Sequence, residues 1–226
     1  MMMLIMIREK SSCFSDEGIK RLYKTLKRQI LKRLEEFRKI WEQGSDEDIF
    51  YELVFCLLTP ASRAHAAWDT VCLLRRKGLL LNGSFGEVAD SLNHVRFKNT
   101  KAARVIEAAE RFLIANRSAL RKVLGGFDSG IKRREWLVSE VRGLGYKEAS
   151  HFLRNTGLSD GLAILDRHIL HGLSGLFVID EVPVSLSPAR YLTIERKMQE
   201  YSQSIGIPVE HLDFVLWYMK TREIFK

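Results

Sequence analysis

The chain has 226 residues and a formal net charge of +8, from 36 Lys+Arg against 28 Asp+Glu, with a sequence pI of about 9.5. A hydrophobic fraction of 46% excludes a disordered chain, and 15 Gly with 4 Pro exclude collagen-like and low-complexity sequences. The length suits one compact domain or two small lobes, and the basic balance points to an anionic partner, nucleic acid or a membrane surface.

The N-terminal MMMLIMIREK has seven apolar residues before Arg8, with no positive region ahead of them and no small-residue cleavage site behind. It is expected to pack on the core or fray rather than direct export, which leaves the chain in the cytoplasm. No stretch approaches the roughly 20 apolar residues that span a bilayer. Residues 16–42 follow as a long amphipathic helix with Leu22, Leu26, Ile30, Leu34, Phe37 and Trp41 on one face. Between Lys20 and Lys39 it carries nine Lys/Arg and two Glu, a face open to either solvent or DNA. Ser45 offers an N-cap for a helix over 45–58, with Asp46, Glu47 and Asp48 at the positive end of its dipole. A helix over 61–76 is stopped by Gly78. Further helices fit 84–93, 99–115, 117–124, 131–141, 147–156, 167–175, 187–204 and 210–221. Only 158–165 and 177–182 read as extended. The fold class is therefore all-α.

The cysteines Cys13, Cys56 and Cys72 give neither a disulfide framework nor a zinc site, and three thiols cannot hold a cluster that needs four. Cys56 and Cys72 lie in apolar surroundings and are expected in the core. The histidines show no metal-ligand spacing.

The most informative stretch is residues 137–157, LVSEVRGLGYKEASHFLRNTG. A helix runs into Arg142-Gly143-Leu144-Gly145, and a second helix begins near Tyr146-Lys147. Two glycines around one apolar residue let the backbone turn tightly and leave its N–H groups open to a phosphate, beside the positive end of the next helix. Such a turn grips a nucleic-acid backbone without reading sequence. An ordinary turn between two helices would look similar.

The context decides between them. The hairpin is followed by Ala163-Ile164-Leu165-Asp166, and the pair resembles the helix-hairpin-helix DNA glycosylase superfamily. GYKEASHFLRNTG, AILDRHIL and the terminal LDFVLWYMKTREIFK, with FCLLT and VRFKNTKAARVI, resemble the type-2 8-oxoguanine DNA glycosylase/lyase family over residues 46–226. Arg142 stands where the commoner superfamily form has Pro, and Ile164-Leu165 where it has a Gly-Pro-type approach. The resemblance implies two helical lobes, about 46–165 and 1–45 plus 166–226, with the active site in the cleft between them. It implies a bifunctional enzyme that removes 8-oxoguanine from double-stranded DNA and nicks the strand. Neither metal nor cofactor is implied, and a monomer is expected.

The same resemblance makes Lys147 the nucleophile and Asp166, 19 residues later, its carboxylate partner. The chemistry agrees. An amine can attack the sugar C1′, displace the base and rearrange to an imine, which permits β-elimination of the 3′ phosphate. A lysine with the ordinary pKa of about 10.4 is mostly ammonium at pH 7. Burial and a helix N-terminus favour the neutral amine and a nearby Asp166 the ammonium, a balance the sequence leaves open. Asp166 suits stabilisation of the positive sugar as the base departs. Without the motif it would read as a helix N-cap.

The family pattern gives His168 a phosphate contact and Gly143 and Gly145 the backbone clamp. It puts Trp217 and Lys226 in lesion recognition: Trp217 as a stacking surface, and the Lys226 α-carboxylate as acceptor for the N7–H that 8-oxoguanine has and guanine lacks. A flipped base needs such a pocket because its edges are inaccessible in the duplex. Ser62 and Arg63, in Thr59-Pro60-Ala61-Ser62-Arg63, are candidates to fill the vacated base position, although this loop lacks the usual Gln or Asn. Phe97, Lys98, Asn99 and Lys101 resemble a turn that contacts the DNA backbone. Two other readings remain: a glycosylase of the same fold for oxidised pyrimidines, and a non-catalytic DNA-binding module.

Overall fold

In a computed structural model of the chain, residues 14–115 and 119–226 are described; the N-terminal apolar run and Cys13 lie outside them. The described residues form twelve α-helices and one π-helical turn, with no strand among them. They divide into two compact units. One comprises the described residues up to Glu35 with Gly161–Phe225, the other Glu36–Asp160 with Lys226.

Helix α1 (Asp16–Glu42) has Asp16 and Glu17 in its first turn and Lys39 in its last, both matched to the helix dipole. The boundary between the units falls within it. In the first unit, Ile19, Leu26 and Ile30 are buried at helical spacing. The other helices of that unit are α10 (Arg167–Gly175), α11 (Pro188–Ile205) and α12 (Val209–Thr221), with α12 packed on both α10 and α11. Side-chain bonds tie α1 to this group: Tyr201 donates to Asp16 Oδ1 at 2.8 Å, and Tyr23 Oη lies 2.8 Å from His211 Nδ1.

The second unit is built around α2 (Asp46–Leu58). Ser45 and Asp48 form a capping box, and all ten residues from Ile49 to Leu58 are buried. A helix apolar on nearly every face must be surrounded. Accordingly α3 (Ala64–Arg76), α6 (Lys98–Ala109), α7 (Ala119–Gly125) and α9 (Tyr146–Asn155) all pack on it. Between α3 and α6 come the short α4 (Leu79–Asn82) and α5 (Phe85–Ser91). A π-helical turn, Glu110–Ala115, continues α6, and α8 (Gly130–Glu140) leads to α9.

Four expectations are corrected. Helix α3 starts at Ala64 instead of residue 61, because Ala61 adopts a left-handed φ of 54° and Ser62 N–H donates back to Thr59 O at 3.0 Å. Cys72 is exposed, since Ala67, Thr70, Val71 and Leu74 form the buried face of α3 and Cys72 points away from it. Residues 158–165, read as extended, form no strand. Their backbone is bonded instead by side chains: Ala163 N–H to Glu195 Oε1 at 2.9 Å, and Tyr191 Oη–H to Ala163 O at 2.7 Å. The expected extension at 177–182 is replaced by the close of α10, where Val178 N–H donates to Leu173 O at 2.9 Å and Phe177 turns left-handed.

Arg121 of α7 staples the α1–α2 connection. Its Nε lies 2.7 Å from Asp46 Oδ1, its Nη2 2.6 Å from Gly44 O, and its Nη1 donates to Trp41 O. The guanidinium also sits 5.2 Å from the Trp41 ring centroid. A lysine cannot reproduce that fork. Arg121→Lys should lower the folding free energy by about 1–2 kcal/mol, read from the urea midpoint at unchanged m-value.

Candidate active site

The hairpin between α8 and α9 is rigidly braced. Arg134 is fully buried, donates to Ser150 Oγ at 3.2 Å and lies 5.1 Å from the Tyr146 ring centroid. Tyr146 donates in turn to Glu135 Oε2 at 2.8 Å. In the turn itself, Leu144 is buried and its N–H bonds to Val141 O at 3.0 Å. Gly143 takes a φ of +93°, and Gly145 is the N-cap of α9 with no side chain to occupy the helix end. Neither glycine N–H donates a backbone hydrogen bond among the described residues.

This brace puts Lys147 in the first turn of α9, its side chain 24% exposed and its Nζ 3.0 Å from Glu148 Oε1. One turn further on, His151 packs edge-on against Phe55 at 5.4 Å. Burial, then the positive charges of Arg154, Lys147 and Lys226, hold His151 well below the ordinary histidine range, so it is neutral. The Lys226 backbone lies close enough to favour the charged ring, yet neither ring nitrogen makes a hydrogen bond of normal geometry. Burial also pushes the Cys56 thiol up, which leaves it unreactive.

Glu52 is buried inside α2 and bonds to the Lys226 ammonium and, at 3.1 Å, to Asn155 Nδ2. The same ammonium lies 3.7 Å from the Trp68 ring centroid, 5.6 Å from Phe55 and 5.8 Å from Phe37. Lys226 is thus an anchored residue of the second unit, held through its side chain in an aromatic cage.

Lys101, expected at a DNA-contacting turn, is buried at 2% exposure. Its Nζ donates to Leu58 O at 2.7 Å, Pro60 O at 2.6 Å and Ser62 Oγ at 3.0 Å. It satisfies carbonyls left open where α2 ends, and fixes the 58–62 loop from inside. Burial, followed by the charges of Lys147 and Arg104, brings its pKa down to about 8. Arg63 remains exposed at the start of α3. Lys98 lies at the surface, 2.8 Å from Asn93 Oδ1 and 3.6 Å from Asp90. Beside it Phe97 is 64% exposed, under the Arg96 guanidinium at 5.5 Å.

The remaining predicted residues belong to the first unit. Asp166 is the N-cap of α10, its Oδ1 accepting from Ile169 N–H at 2.8 Å. His168 packs edge-on against Trp217, ring centroids 5.2 Å apart, and Trp217 Nε1 is buried without a hydrogen-bond partner among the described residues. The structure therefore brings His168 to Trp217, and Lys147 to Glu148 and His151. Among the described residues, no group of three or more His, Cys, Asp or Glu is placed to hold a metal ion.

A family model described as 8-oxoguanine DNA glycosylase matches residues 30–207. The chain belongs to that family. Among its relatives, the 8-oxoguanine DNA glycosylase/AP lyase of Fusobacterium nucleatum is 41% identical over 218 residues, 96% of this chain and 100% of the relative. The crystal structure of the Thermotoga maritima 8-oxoguanine DNA glycosylase superposes with a TM-score of 0.82 at 31% identity, over 93% of this chain and 98% of that one. The Methanocaldococcus jannaschii 8-oxoguanine glycosylase/lyase, solved with a 15mer DNA containing 8-oxoguanine, gives 0.83 at 32% identity, over 93% and 99%. The all-α architecture expected from the sequence is that of these glycosylases.

Sequence reasoning missed Glu148, Glu52 and Trp68. A carboxylate inside the apolar run IFYELVFCLL was the signal for Glu52, because such a group demands a buried partner. Nothing in the sequence singled out Trp68.

Lys101 supplies a pH test. Its amine should titrate near pH 8 in nitrogen-detected NMR. Above that pH the folded chain has given up a proton that the unfolded chain holds until about 10.5. Folding stability of the wild type should therefore rise relative to Lys101→Met across this window. A stability difference that is flat from pH 8 to 10.5 would place the titration elsewhere.

Proposed function

We propose that this chain excises 8-oxoguanine from double-stranded DNA and cleaves the strand at the resulting abasic site, with Lys147 as nucleophile. The observation that carries the reading is the position of Lys147: two residues after Gly145, in the first turn of α9, partly exposed, in a chain of this glycosylase family. Relatives matched over nearly their whole length are named 8-oxoguanine DNA glycosylase/AP lyase.

In this scheme the Lys147 amine attacks C1′ and the base leaves. The resulting imine makes the 2′ proton acidic, and its loss expels the 3′ phosphate. Glu148, 3.0 Å from Nζ, is placed to take the proton that the ammonium must lose. Asp166 has the role of stabilising the developing positive sugar in this scheme, while its Oδ1 holds the cap bond. Trp217 and Lys226 serve lesion recognition, His168, Gly143 and Gly145 the phosphates, and Arg63 and Lys98 the DNA surface. The reading is completed by a monomer in the cytoplasm, associated with the nucleoid when bound to DNA.

Borohydride should trap wild-type protein covalently on 8-oxoguanine duplex, and Lys147→Gln should not trap. Parallel thymine glycol and uracil duplexes test the lesion, and preferential cleavage of either would overturn the 8-oxoguanine assignment. Asp166→Asn keeps a side chain that caps helices as well as aspartate does. It should therefore retain stability and DNA affinity while the excision rate falls about 10²–10³-fold. Unchanged excision in that variant would remove Asp166 from the chemistry.

A further inference from the structure

We propose that Arg104 of α6 is a phosphate-contacting residue of the hairpin turn, its guanidinium seated in the space that Gly143 leaves open. The proposal rests on the DNA-binding function above and adds a side-chain arm to the backbone turn.

A Cβ built on Gly143 would lie 2.4 Å from Arg104 Cδ, 2.8 Å from Nε and 3.0 Å from Cζ. The guanidinium therefore packs directly on the turn. Its Nε is sealed from solvent and has no hydrogen-bond partner among the described residues. The obvious acid is already engaged: Glu107, one turn along α6, pairs with Arg142 at 3.4 Å. Lys101 and Lys147 are cations nearby; a further acid, Glu148, pairs with Lys147 at 3.0 Å, its Oε2 beside Gly145, 3.2 Å from where a Cβ would lie.

Arg104 as a residue is only half-buried, and a guanidinium without an acid of its own among the described residues gains from an anion that meets its open edge. Its planar fork suits two oxygens of one phosphate. The Gly143 and Gly145 N–H groups, which make no backbone bonds, lie in the turn it covers. A phosphate received there gains the backbone donors and a full positive charge at once. A purely structural Arg104 would fill the gap at Gly143 and no more.

Salt dependence separates the two roles. Binding of the full chain to an undamaged duplex and to one with a tetrahydrofuran abasic analogue is measured from 50 to 300 mM salt. Arg104→Met should weaken both about tenfold and lower the slope of log K against log[salt] by about 1, as the loss of one phosphate contact requires. Arg104→Lys, which keeps charge without the fork, should bind more weakly than wild type at the wild-type slope. Gly143→Ala should displace the guanidinium and reproduce the shallower slope. An unchanged slope in a folded Arg104→Met, with wild-type 8-oxoguanine excision intact, overturns this proposal alone. Wild-type protein that neither binds nor cuts the damaged duplex overturns the function on which it rests.

Discussion

A carboxylate buried within the apolar run of α2 sets the terms for the second unit. Glu52, the carboxylate buried there, demands a cation and further hydrogen-bond donors. Lys226 supplies the first and Asn155, at the end of α9, part of the second. One demand thus fixes both the residue that ends the sequence and the far end of the helix that carries Lys147. Trp68, Phe55 and Phe37 wall the ammonium in, so the pair is sealed by aromatic faces that would otherwise need other partners.

Three lysines in that unit meet three different fates. Lys226 is neutralised by a buried carboxylate, and Lys101 is bound by oxygens of the loop after α2. Lys147 has only Glu148 among the described acids within ion-pair distance, and its side chain is more exposed than that of Lys226. Two of the amines are thereby spent on structure. The third stays partly exposed in the first turn of α9, next to the braced hairpin.

Local sequence rules located most helices, because caps and periodicity are local. Ser45, with the acids after it, marked the start of α2. What failed was tertiary. Ser62 is held by Arg96 N–H and Lys101, partners more than thirty residues away, and no local pattern announces that α3 must wait until Ala64. Lys101 was misread through its basic neighbours. Its spacing to Val105 and Ala108, four and seven residues on, already put it on the buried face of α6. Cys72 failed in the opposite sense: the run TVCLL is apolar, but a helix turns one of those residues outward. At the site, Lys147 and the glycine turn were legible because they lie together in the chain. Glu148 was adjacent yet unremarked, since its role depends on where two side chains point.

The π-helical turn at Glu110–Ala115 bears on all of this. Such a turn holds one residue more than an α-turn, the usual trace of a single-residue insertion into a regular helix. Arg111 lies within it, seven residues after Arg104, and is anchored to Glu140 Oε2 at 2.6 Å and to Glu140 O at 2.8 Å. Deleting one residue between Arg104 and Arg111 would rotate everything upstream of that anchor by about 100°. The faces of α6 that hold Lys101 under the 58–62 loop and Arg104 over Gly143 would then point elsewhere, although every residue of the hairpin remained in place.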